Sequence, residues 1–223
     1  MEDRAQAFLF DLDGTLVDSV YQHVLAWRDA LDRAGIDLSV WRIHRKVGMS
    51  GGLFANALLR ETGSEVTAEQ ATELRRLHAV AYATFADDVR PLPGARDLLA
   101  RLTMAGVPWA IATSGYRDSA GPALELLELP PKVPVITRDL VERAKPDPDL
   151  FLAAADALGV AAETCVVVGD SVWDLLAARR ARALGIGLLS GGYGREELER
   201  AGAYRVYDDP ADLLGHLDEV GIR

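Results

Sequence analysis

Two carboxylates separated by one residue, Asp11 and Asp13, close a short apolar run, Ala7 to Phe10, and Gly14 follows them. Four apolar residues with two aromatics among them predict a buried strand. Residues two apart in extended chain share a face, and Gly14 lets the backbone turn away. Like charges held that close are costly unless a cation neutralises them, which implies a divalent ion such as Mg²⁺. A carboxylate that faces a phosphoryl group beside such an ion can attack it and form an aspartyl-phosphate. Taken alone, the same residues also suit a capped turn after a strand.

The elements that would position these groups can be followed along the chain. Helical spacing of Val20, Val24, Trp27 and Leu31 predicts a helix over Asp18 to Ala34, ended by Gly35. A short helix over Ser39 to Arg45 is followed by a turn at Gly48 to Gly52, and two further helices are expected over Leu53 to Arg60 and Thr67 to Phe85, the second capped by Thr67. No strand is expected between residues 18 and 88. From Pro91 to Gly94 a rigid connector leads into a helix over Ala95 to Met104. Strands then alternate with helices: Val107 to Ala112, Val133 to Ile136, Cys165 to Val168, Gly185 to Leu189 and Tyr204 to Tyr207 as strands, with helices over Arg117 to Leu127, Pro148 to Leu158 and Val172 to Ala183. That alternation predicts an α/β fold with a Rossmann-like, doubly wound parallel sheet. The helical block is then an insertion after the first strand, giving a core of residues 1–17 and 89–223 and an inserted domain of residues 18–88.

Four clusters of reactive types fall at predicted strand ends. Asp11 and Asp13 close the first strand; Thr113, Ser114 and Gly115 close the second. Lys145 to Pro148 open the helix after Val133 to Ile136, and Gly169 to Asp174 close the fourth strand. Strand ends of one parallel sheet share an edge, where such folds bind ligands. Together they supply a nucleophile, hydroxyl and amide donors, a cation and metal-binding acids, the set that phosphoryl transfer uses. Separately, Thr113 and Ser114 suit a helix cap, Lys145 a solvated lysine, and Asp170 and Asp174 acids in a first helical turn.

The run Phe10-Asp11-Leu12-Asp13-Gly14-Thr15-Leu16 resembles the first motif of the haloacid dehalogenase-like hydrolase superfamily, and the other three clusters resemble its remaining motifs in the same order. The resemblance covers nearly the whole chain. It implies that Asp11 is the nucleophile and that Asp13 is the general acid, then the general base. It implies that Thr113 is a hydroxyl donor to the phosphoryl group, with Ser114 and Gly115 binding phosphate through backbone amides. It implies that Lys145 is the cation between phosphate and nucleophile. It implies a Mg²⁺ site made by Asp11, Asp13 (through its carbonyl) and Asp170, with Asp174 a second ligand or a water-holding partner. An acid at Asp13 suits phosphate monoesters, whose leaving alkoxide needs a proton; the dehalogenases of the superfamily lack it.

The helical insertion resembles the small cap of the phosphoglycolate phosphatase and β-phosphoglucomutase branch. His23, Ala26 and Trp27 match a His-x-x-Ala-Trp pattern common there, so His23 either assists proton transfer or packs at a hinge. Arg42, His44, Arg45 and Lys46 form a basic stretch that either greets a second anionic group of the substrate, with Arg45 the candidate, or is a solvated face. The mutases usually carry Glu where Gly169 stands and a cap Arg where Gly51 and Gly52 stand. The expected activity is therefore hydrolysis of a small phosphorylated metabolite, with phosphosugar mutase as the alternative. A phospho-receiver module or a non-catalytic binding protein are readings of a different class; the Asp-x-Asp spacing and the insertion disfavour the first, and a complete set of catalytic residues disfavours the second.

Bulk properties agree. Of 223 residues 49 % are hydrophobic, enough for a full core, and the net charge of −10 disfavours nucleic acid and anionic membranes as partners. No apolar stretch approaches the ~20 residues that span a bilayer, and the acidic start lacks a signal-peptide core. A cytoplasmic protein, monomeric or weakly homodimeric, is expected. Cys165 has no second cysteine to pair with.

Overall fold

The structure, a computed structural model, describes residues 7–49, 54, 57, 61, 63 and 67–222. The chain divides into two compact units, Met1–Asp18 with Arg90–Arg223, and Ser19–Val89.

The first unit is built on β1 (Ala7–Phe10), two short strands β2 (Val17–Asp18) and β3 (Arg90–Pro91), and then β4 (Trp109–Ala112), β5 (Val135–Ile136), β6 (Cys165–Gly169), β7 (Leu184–Leu188) and β8 (Ala203–Tyr207). Six of these form one parallel sheet in the order β5-β4-β1-β6-β7-β8. Its central strands are buried on both faces, so they are continuously apolar rather than alternating. Ala7 and Leu9 point to one face, where they share a core with Ala110, Ala112 and Val167 and with Phe151 and Ala154 of the helix Asp149–Leu158. Phe8 and Phe10 point the other way. Their rings stack at 5.9 Å, and Phe10 meets Trp109 edge-on at 6.5 Å.

From β1 the chain steps to β4 and β5 on one side, then returns to β6, β7 and β8 on the other. The direction of winding therefore reverses beside β1, and the carboxyl ends of β1, β4 and β6 border the switch point where such sheets bind ligands.

Two strands start later than the sequence pattern predicts, at Trp109 rather than Val107 and at Val135 rather than Val133. Pro108 and Pro134 stand just before these starts and have no N–H to give to a ladder. The connector expected over Pro91 to Gly94 proves to be part strand: Arg90 and Pro91 pair antiparallel with Asp18 and Val17. A two-residue strand has no period to read.

The second unit is helical in its described residues. Its helices are Val20–Arg33, Val40–His44 and Ala68–Ala83. Thr67 caps the last in a reciprocal capping box with Gln70. Val24, Leu31, Leu38, Ile43, Phe54 and Leu74 make its core. The predicted turn at Gly48 to Gly52 and the helix over Leu53 to Arg60 lie mostly outside the described residues.

Candidate active site

Asp11 follows β1 directly, and its backbone N–H donates to the carbonyl of Val168 on β6 at 2.9 Å. The backbone pairing that builds the sheet therefore also sets Asp11 against the end of β6. Asp170 follows β6, and Asp174 lies in the first turn of the helix Val172–Ala181. Ser171 caps that helix: its side chain accepts from the Asp174 N–H, while Asp174 Oδ2 accepts from the Ser171 hydroxyl at 2.6 Å and its N–H at 3.1 Å. The cap that starts the helix thus also locks the carboxylate of Asp174. Gly169 permits this, because a Cβ there would lie 2.3 Å from Asp174 Cβ.

Asp11, Asp170 and Asp174 are all buried, with carboxylate oxygens within 4.8 Å of one another. Lys145, fully buried, donates to Asp11 Oδ1 and lies 2.8 Å from Asp174 Oδ1. Its ammonium also lies over the Phe151 ring, 5.1 Å from the centroid. Burial alone would favour neutral lysine; the paired carboxylates of Asp11 and Asp174 outweigh it and hold the Lys145 pKa above the usual range. Burial, reinforced by the charges of Asp174 and Asp13 and opposed by Lys145, pushes Asp11 up to about 7. Asp170 is pushed well above the carboxylate range, chiefly by burial and then by the charges of Asp174 and Asp11.

One ammonium faces three buried carboxylates among the described residues, so ionising all three would leave two negative charges uncompensated. Buried charge of that size is strongly unfavourable without a counter-ion. An all-oxygen acidic donor set suits a hard divalent cation such as Mg²⁺.

The other predicted residues take varied places. Asp13 is partly exposed in the turn after β1 and is not one of the three clustered carboxylates. Thr113 is buried at the end of β4, next to β1 in the sheet, and its Oγ1 accepts from the Gly115 N–H at 3.0 Å. Ser114 lies between them, partly buried. His23 belongs to the helical unit, where its ring stacks on Tyr82 at 4.0 Å and its Nδ1 shares a hydrogen bond with His78 Nε2 at 3.1 Å. Arg45 lies at the end of the helix Val40–His44. Of its basic neighbours, Arg42 and Lys46 are both paired with Glu61. Sequence reasoning left Thr15 without a role. Its buried hydroxyl donates to Asp170 Oδ1 at 3.0 Å, joining the turn after β1 to the end of β6. Only its position just after Gly14 hinted at this.

Comparison with known proteins agrees with this arrangement. The family model of the haloacid dehalogenase-like hydrolases matches residues 5–182. Hexitol phosphatase A of Escherichia coli is 38 % identical over 170 residues, covering 75 % of this chain and 76 % of its own. Phosphoglycolate phosphatase of Rhodospirillum rubrum is 35 % identical over 221 residues, covering 93 % and 89 %. A solved hydrolase from Pseudomonas syringae superposes with a TM-score of 0.94 at 56 % identity, covering 96 % of this chain and 99 % of that one. The chain belongs to the haloacid dehalogenase-like hydrolases. Within them it stands with the phosphatases.

Proposed function

We propose that this protein is a Mg²⁺-dependent phosphatase that hydrolyses a small phosphorylated metabolite, of the phosphoglycolate or phosphosugar type, through a phosphorylated Asp11. The observation that carries this reading is the buried set of Asp11, Asp170 and Asp174 around Lys145 at the carboxyl edge of the sheet. Asp11, Asp170 and Asp174, with the Asp13 carbonyl, would hold the cation, which supplies positive charge to the phosphoryl oxygens and the nucleophile when bound. The Asp11 carboxylate attacks phosphorus, and the bond to the leaving oxygen breaks as Asp13 gives that oxygen a proton. Asp13, now ionised, takes a proton from the water that attacks the phosphoryl group on Asp11, releasing phosphate and restoring the Asp11 carboxylate and the protonated Asp13. Lys145 orients Asp11 and offers its charge to the phosphoryl oxygens, and Thr113 with the amides of Ser114 and Gly115 supplies further donors.

The helical unit, close to the expected inserted domain of residues 18–88, serves in this reading as a cap that excludes water during turnover. His23 and Arg45 are its candidate contributors. A mutase reading is less well supported. The side chain it expects at position 169 would collide with Asp174. The relatives named as phosphatases favour hydrolysis, and a cytoplasmic monomer or weak homodimer fits a metabolite enzyme. The test is a screen of phosphorylated metabolites with Mg²⁺, scored by phosphate release. Release from a small phosphomonoester, abolished by EDTA, is expected. With β-glucose 1-phosphate and a trace of glucose 1,6-bisphosphate, fast isomer formation and little free phosphate would favour the mutase instead.

A further inference from the structure

The turn that follows β7, Leu189–Gly191, has no place in the scheme above, yet it closes a ring of contacts around it. Ser190 Oγ donates to the carbonyl of Gly14 at 2.6 Å. That carbonyl belongs to the peptide joining Gly14 to Thr15, and Thr15 donates in turn to Asp170 Oδ1. The ring returns to its start at Gly191, which is buried against the other oxygen of the same carboxylate. A Cβ at Gly191 would lie 1.8 Å from Asp170 Oδ2, 2.5 Å from Cγ and 2.7 Å from Cβ. The clash reaches the stem of the Asp170 side chain, so rotating its carboxylate could not relieve it. Residues from three strand ends thus meet in one cycle: Ser190 to Gly14, Thr15 to Asp170, and Asp170 back to Gly191.

We infer that Ser190 and Gly191 are positioning residues for the metal-binding carboxylate Asp170 and for the turn that carries Asp13. The inference rests on the cation-dependent reading of the site. Gly191 sets Asp170 by leaving room that any side chain would fill. Ser190 sets the turn that carries Asp13 by occupying the carbonyl of Gly14. Groups that orient metal ligands without touching the metal commonly change affinity or activity by about 10- to 100-fold when lost.

The test measures Mg²⁺ binding to the full-length protein by isothermal titration calorimetry, with no substrate present, beside Mg²⁺-dependent phosphate release. Gly191→Ala is expected to weaken Mg²⁺ binding by about tenfold or more, with a native circular dichroism spectrum. Ser190→Ala is expected to lower kcat severalfold, leave the substrate KM unchanged and raise the Mg²⁺ concentration for half-maximal rate. Folded Gly191→Ala protein that binds Mg²⁺ as the wild type does would overturn the inference. Should that variant not fold, Ser190→Ala decides: unchanged kcat and unchanged Mg²⁺ dependence overturn it. Wild-type protein that binds no Mg²⁺ removes the cation-dependent reading and this inference with it. Normal wild-type binding with unaffected variants removes the inference alone.

Discussion

Asp11 and Lys145 carry the sharpest consequences at the scale of single residues. Asp11→Asn should lower turnover by several orders of magnitude, because an amide is a poor nucleophile; steady-state rates on the best substrate check it, and more than about a tenth of wild-type kcat would refute the role. Lys145→Met leaves three buried carboxylates with no paired cation among the described residues. Removing one partner of a buried pair typically costs about 3–5 kcal/mol, so the urea midpoint in EDTA should fall well below that of the wild type, and Mg²⁺ should recover part of the loss. Acidity follows from the same geometry. In metal-free protein burial pushes the Asp11 carboxyl up to about 7, against 3.8 in the unfolded chain. The folded state then keeps a proton that the unfolded state has released. The resulting stabilisation is complete below about 3.8 and is lost as pH rises through about 7. A divalent ion takes the place of that proton, so Mg²⁺ should raise the melting temperature more at pH 8 than at pH 5. Parallel melting profiles with and without Mg²⁺ would contradict this.

At the scale of elements, the helix Val172–Ala181 depends on the same hydrogen bonds that hold Asp174. Ser171→Ala removes its side-chain cap, worth about 1 kcal/mol, and takes one donor from the Asp174 carboxylate. A fall in both stability and kcat is expected, and Ser171→Thr should restore most of each; a loss of stability with kcat intact would separate cap from site. Much of this level is legible in the chain itself. The parallel sheet can be read from alternating patterns, because buried strands such as Cys165–Gly169 are uninterrupted apolar runs. The convergence of Asp11 and Asp170 follows from their places at the ends of β1 and β6, and Asp174 stands in the first turn of the helix that follows β6. What could not be read is contact that depends on register and on space. Thr15 reaching Asp170 spans 155 positions, and no local pattern marks it. The pairing of Val17 with Pro91 joins two segments too short to carry a period. Gly169 and Gly191 look like ordinary turn glycines until the carboxylates that need their missing side chains are in view.

At the scale of the whole molecule, the pairing of Asp18 with Arg90 brings the two ends of the Ser19–Val89 segment side by side. Closing that gap with a short Gly-Ser link costs little chain entropy. The remaining α/β unit is expected to unfold cooperatively and to bind Mg²⁺, with selectivity among phosphomonoesters reduced. Calorimetry and a substrate panel on that shortened protein check it, and an unfolded product would show that the two units are interdependent. The helical character of the Ser19–Val89 segment was legible from its spacing. Its basic stretch was less so, since Glu61, which pairs with both Arg42 and Lys46, stands in a different part of the sequence. Of the three lysines in the chain, Lys46 and Lys145 are buried and Lys132 is exposed. Acylation by an amine-directed reagent should therefore mark Lys132 and spare Lys145 for as long as the native fold persists. Label arriving at Lys145, read by mass spectrometry of one peptide, would date the moment at which the site opens as the protein unfolds.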